Sequence, residues 1–168
     1  MIEKLGLDDK DVKLFTLVMI NPDISQAELA KALKISQPSV NVRLRKLKDR
    51  GILAQSVGIE FNKTGLVMGR VDFASAEAKE IMDTLKGCSF FVNGFITSGT
   101  KNASILIVAD DLKKIEAIVN EHIRNNPAIS EIDMSVVVSS SKPFVFSVNL
   151  EQGKHPICHE ESCKDCPL

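Results

Sequence analysis

Tryptophan and tyrosine are absent from this chain of 168 residues, and eight phenylalanines supply all of its aromatic rings. Surfaces that bind through exposed aromatic anchors, or that stack single-stranded bases on rings, are therefore poorly provided for. No apolar run approaches the roughly 18 residues of a membrane-spanning helix. The opening Met1-Ile2-Glu3-Lys4 lacks the apolar core of a secretion signal. A cytoplasmic protein without a membrane partner is expected. The four cysteines are then better suited to metal or redox chemistry than to disulfides, because a chain of this length buries enough core to fold without staples.

A strong overall charge is also missing, since the formal net charge is −1. That balance conceals an uneven distribution. Residues 25–50 carry seven Lys or Arg against two Asp or Glu, whereas residues 151–168 carry two against four. A polyanion would meet the first segment and be repelled by the second.

The first half has helical periodicity. From Leu7 to Ile20, Val12, Phe15, Val18 and Met19 recur at helical spacing behind Asp8 or Asp9 as N-cap, and Asn21-Pro22-Asp23 ends the run. Ser25 opens a second helix with Glu28 three residues on, the pattern of a capping box. Ser36 opens a third, with Pro38 in its first turn, Val40, Leu44 and Leu47 along one side and Gly51 as its stop. Two helices separated by Lys34-Ile35, the second amphipathic and basic, form a helix-turn-helix pattern. Ile52–Val57, Gly58 and Ile59–Phe61 follow as an expected hairpin, the wing of a winged helix.

In such a pair the second helix enters the major groove. Gln37, Ser39 and Asn41 in its first turn suit base edges, and Arg43, Arg45, Lys46 and Lys48 suit phosphates. Ser25, Gln26 and Ser36 at the helix starts complete the candidate DNA contacts. Arg43 falls on or near the apolar stripe, where it would pack against the first helix.

The second half changes period. Strands are expected at 66–74, 89–99 and 102–109, with a helix capped by Ser75 after the first and a helix capped by Asp110 or Asp111 after the third. Ile132, Met134, Val136 and Val138 mark a last strand. The order βαββαβ is ferredoxin-like, so the fold class is α+β: a winged helix-turn-helix followed by a ferredoxin-like domain.

The stretches Leu7-Asp8 through Leu14, Glu28-Leu29-Ala30 with Ile35-Ser36, and Ser39-Val40 through Arg43, Leu47 and Gly51-Ile52 resemble the Lrp/AsnC family of transcription regulators. The resemblance covers about residues 5–145. It implies a DNA-binding domain at 1–61 and, after a linker at 62–65, an effector-binding and oligomerising domain at 66–145; residues 146–168 are then left as an arm with a cysteine-rich tail. It further implies double-stranded DNA as partner, a homodimer or larger homo-oligomer, and a near-palindromic site. The family's effector turn corresponds here to Gly99-Thr100-Lys101-Asn102, with Asn102 where Asp is usual. That exchange removes the carboxylate expected to meet an amino-acid effector, whose identity the sequence leaves open.

The tail lies outside the family pattern. Cys163 and Cys166 form a CxxC, Cys158 stands upstream, and His159 or alternatively His155 would complete a tetrahedral zinc site. An iron–sulfur cluster, a Cys163–Cys166 redox pair or an unstructured tail without cofactor stay open beside zinc. Cys88 is expected to be a small packing residue, and His122 a solvated or packed one. A regulator responsive to metal or redox state is the function expected, not an enzyme. Two alternatives are an enzyme on the Lrp-like scaffold, of the haem-precursor decarboxylase type, and a small-molecule-binding module without DNA binding. The enzyme would require histidines or arginines in a pocket on the sheet domain.

Overall fold

The computed structural model describes residues 2–148. The chain forms two compact units that divide between Gln55 and Ser56, ahead of the 62–65 segment. No helix among the described residues is long and apolar enough to cross a membrane.

The first unit holds helices α1 (Ile2–Leu5), α2 (Asp9–Ile20), α3 (Gln26–Leu33) and α4 (Gln37–Asp49). Each of the three longer helices starts where a side-chain acceptor meets the N–H groups that a helix leaves unpaired. Asp8 caps α2 and Ser25 caps α3, both in reciprocal capping boxes, and Ser36 caps α4. Between α3 and α4, Lys34 takes a left-handed conformation with φ 53°, the position where such a turn favours glycine. Leu14, Val18, Leu29, Leu33, Val40, Leu47 and Leu53 close the core of this unit.

The expected wing hairpin is corrected. Residues 52–58 form no strand, and β1 (Ile59–Glu60) pairs antiparallel with β6 (Val145–Phe146) of the C-terminal arm. A hairpin confined to 52–61 would leave Ile59 and Phe61 with nothing to bury against. With the arm as partner, Phe61 and Phe146 are both buried in a cluster with Met68 and Val108, and each such phenylalanine contributes roughly 1.5–3 kcal/mol.

The second unit is built on a four-stranded antiparallel sheet of β2 (Val67–Ala74), β3 (Phe91–Ile96), β4 (Ala103–Ala109) and β5 (Ser130–Val137), in the order β3-β4-β2-β5. Two helices, α5 (Ala78–Leu85) and α6 (Leu112–Val119), complete the expected βαββαβ order. Alternation along β2 sends Val71 and Phe73 to the helix side, where they pack with Ile81, Met82, Leu85, Ile115 and Ile118. Met68 faces the other way, onto the arm. Farther along that second face Asp72 stands opposite Asp133 on the neighbouring strand, a like-charge pair. Arg70 and Lys101 relieve it by pairing with Asp72 at 3.0 Å and Asp133 at 3.2 Å.

Two local expectations change. Ser75 does not cap α5: its Oγ accepts from the Glu77 N–H, and Glu77 occupies the cap position without a side-chain bond of its own. After α6 the chain widens into a π-type turn over Asn120–Arg124, secured by Arg124 bonds to Glu116 and Asn120.

The β1–β6 pairing depends on Gly58, where a Cβ would overlap the Phe146 carbonyl. Gly58→Ala should open this pairing. Hydrogen exchange at the Phe61 amide, which donates to the Phe144 carbonyl at 2.9 Å, is expected to rise at least about tenfold. Amides of α2–α4 should keep their protection.

Candidate nucleic-acid interface

Helix α4 has one face held inward and one left to solvent. Val40 and Leu47 are buried and Leu44 half-buried, whereas Gln37, Ser39, Asn41, Val42, Arg45, Lys46 and Lys48 are exposed. The hydrogen-bonding side chains stand in the first turn and the cations in the later turns, so both groups share the outer surface of one rod. Arg45 approaches Asp49 only to 3.8 Å with its side chain 83% exposed. An exposed pair of that length holds its partner weakly, which leaves the guanidinium available to a phosphate.

Arg43 is different. Its Nη1 donates to Asp8 Oδ2 at 2.7 Å and to Asp11 Oδ1 at 2.5 Å. Asp8 Oδ1 meanwhile accepts from the Asp11 N–H at 2.7 Å, and Asp11 Oδ2 accepts from the Asp8 N–H at 3.4 Å. Each carboxylate thus caps α2 with one oxygen and grips α4 with the other. The Asp11 amide, assisted by Arg43, holds the Asp8 carboxyl below its ordinary range, and the two carboxylates keep Arg43 charged. Since Asp11 is only 1% exposed, the half-buried Arg43 serves as its counter-ion. The expected packing of Arg43 against the first helix thus takes the form of two ion pairs within the domain.

Ser25 and Ser36 are also occupied locally. Ser25 Oγ donates to Glu28 Oε2 at 2.6 Å and accepts from the Glu28 N–H. Ser36 Oγ lies 2.8 Å from Ser39 Oγ and accepts from the Ser39 N–H. Gln26 stands exposed in the first turn of α3. Val42 is not among the residues that the sequence points to, because an apolar side chain carries no hydrogen-bonding signal. Its offset of two residues from Val40, which no helical stripe accommodates, is the feature that would have marked it.

The turn at Gly99–Asn102 is closed by its own residues. Asn102 Oδ1 accepts from the Ser75 N–H at 2.9 Å, and its Nδ2 donates to the Ser75 carbonyl at 2.8 Å. An aspartate has no donor for that carbonyl, so Asn102 here locks the end of β2 to the start of β4. Thr97 Oγ1 donates to the Lys101 carbonyl, and the Lys101 ammonium is paired with Asp133.

Cys88 packs against the helix-side core, as expected. His122 is half-buried beside Glu77, Glu80 and Glu121 in a groove between α5 and the π-type turn, and burial pushes its imidazole below the ordinary histidine range. Among the described residues no group of His, Cys, Asp and Glu is arranged to hold a metal ion. His155, Cys158, His159, Cys163 and Cys166 lie outside the described residues.

Residues 7–54 match the family described as winged helix-turn-helix DNA-binding. Transcriptional regulator AzlB of Bacillus subtilis is 23% identical over 143 residues, which span 81% of this chain and 91% of that protein. The fold is that of solved Lrp/AsnC proteins. Escherichia coli AsnC superposes with a TM-score of 0.68 at 19% identity, covering 83% of this chain and 97% of its own. Bacillus subtilis LrpC gives 0.67 at 22% identity, covering 81% and 97%. These likenesses bear out the family resemblance and the α+β class, and they favour a regulator over an enzyme.

Arg43→Ala should destabilise the first unit by about 1–3 kcal/mol, because it removes the charged partner of the buried Asp11 carboxylate. Arg45→Ala should leave its melting temperature within about a degree or two, as expected for a surface change. The Asp8 carboxyl titrates below its ordinary value of 3.8. Its contribution is complete above that value and is lost as the pH falls through the folded-state pKa. The difference between the thermal melts of wild type and Asp8→Asn should therefore be constant near neutral pH and shrink as the pH is lowered past 3.8.

Proposed function

We propose that this DNA-binding transcription regulator of Lrp/AsnC type engages a near-palindromic duplex as a homodimer or larger homo-oligomer. Gln37, Ser39 and Asn41 meet base edges, and Arg45, Lys46 and Lys48 meet phosphates. The observation that carries this reading is the division of labour on α4: Gln37, Asn41, Arg45, Lys46 and Lys48 stand exposed on its outer face, with Ser39 hydrogen-bonded to Ser36 beside them, while Arg43 is drawn toward Asp8 and Asp11. Gln26, exposed at the start of α3, touches the backbone beside it in this reading. Phosphate contacts of this kind supply most of the affinity and make it salt-dependent. Arg45→Ala/Lys46→Ala should weaken binding across all sequences and flatten the plot of log affinity against log salt by about 0.9 for each phosphate no longer neutralised. A fluorescence-anisotropy titration at several salt concentrations measures this, and an unchanged slope would sink the assignment.

The regulator is further proposed to respond to metal through its tail. Support comes from the sequence alone: the spacing C-x4-C-x2-C over Cys158, Cys163 and Cys166, with His159 or His155 as fourth ligand, fits zinc. A bound metal would change transcription only by favouring one DNA-binding state over another. Elemental analysis should find about one zinc per chain, removed by Cys163→Ser/Cys166→Ser, and chelator should change DNA affinity or oligomer size. A brown iron chromophore would replace zinc with an iron–sulfur cluster, and metal-free protein would dismiss the proposal.

A further inference from the structure

Val42 stands near the middle of the outer face of α4 and is 69% exposed. At about 100° per residue it lies on the opposite side of the helix from Val40, and it takes no part in the core of its unit. A β-branched residue at a solvent-facing helical position has poorer helix propensity than the lysines and arginine around it. Neither packing nor helix stability accounts for it. Its neighbours are those of a contact surface: Pro38, Ser39, Lys46, Asp8 and Arg43 line the same shallow concavity. The Asp8 carboxylate there is paired with Arg43, which moderates the repulsion a bare carboxylate would exert on a polyanion.

We infer that Val42 is a specificity residue whose methyl groups contact the C5-methyl of a thymine in the major groove. This rests on the proposed DNA-binding function and names part of what it reads. The major-groove edge of thymine is distinguished from cytosine by that methyl and by its O4 acceptor, and an apolar side chain can recognise the methyl. Duplex DNA is the occupant that the charge pattern favours, because Arg45 and Lys46, three and four residues on, flank Val42 one turn away and draw a polyanion to this face. Val42 lies between the base-reading first turn and the phosphate-binding later turns. A recognition helix places base-contacting side chains in that interval.

The test uses full-length protein and duplexes selected from a random library. Each thymine of the selected site is replaced singly by deoxyuridine, which removes the methyl and leaves every hydrogen-bonding group in place. Wild type should bind more weakly at one thymine in each half-site, by about fourfold for one methyl taken from an apolar contact. Val42→Ala should bind thymine and uracil versions equally at that position and stay sensitive to changes opposite Asn41. A melting temperature equal to wild type confirms that the variant is folded. Insensitivity of wild type to every uracil substitution overturns the inference, as does equal sensitivity in wild type and Val42→Ala. In either case a selected site is still bound and the DNA-binding function stands. Failure to select or shift any duplex, by contrast, sinks the function itself.

Discussion

The first unit turns on one guanidinium. Arg43 on α4 reaches the two carboxylates that form the capping box of α2. Start of one helix and middle of another are therefore fixed by the same four oxygens. A capping box alone orders a helix end and leaves its neighbours free. A hydrophobic stripe alone allows some rotation of a helix about its axis, because apolar contacts are not directional. Charge-assisted hydrogen bonds add direction, and they set which face of α4 looks outward. The presentation of Gln37, Asn41, Val42, Arg45 and Lys46 follows from that setting. Asp8, Asp11 and Arg43, which belong to the stretches that carry the family resemblance, are in this light residues that hold α4 in place.

The second unit solves a different problem. A four-stranded antiparallel sheet has two faces, and two short helices cover only one of them. The arm covers part of the other. Phe61 and Phe146, brought together by β1 and β6, bury Met68 and Val108 on that side, and farther along the same face Arg70, Asp72, Lys101 and Asp133 form two ion pairs. The alternation of β2, with Val71 and Phe73 to one side and Met68, Arg70 and Asp72 to the other, anticipates this partition.

Most of the site was legible in composition and periodicity. The excess of cations in 25–50, the serines and aspartates at helix starts and the stop at Gly51 are local signals, and each corresponds to a cap or a face in the structure. Less legible was which polar side chains remain available once the helices are assembled. Arg43, Ser25 and Ser36 all carry groups that suit DNA, yet each has a nearer partner within its own unit. Asn102 is comparable: its departure from the usual aspartate suggested a missing ligand group, whereas the two ends of its amide clasp Ser75, twenty-seven positions away in sequence.

What the sequence by itself determined was the set of elements, their order and their apolar faces, because caps, turns and the 3.6- and 2-residue periods are written within a few neighbouring residues. The tertiary structure decided the partners across long separations. Ile59 and Glu60 looked like half of a local hairpin and instead joined Phe146 and Val145 more than eighty residues later, since burying two phenylalanines outweighs a wing with no core beneath it. Arg43 looked like a phosphate contact and became a counter-ion thirty-two residues from Asp11, since a carboxylate removed from water requires a charge beside it. Which distant residue shares a buried position is not written in any local pattern, and that sharing made both choices.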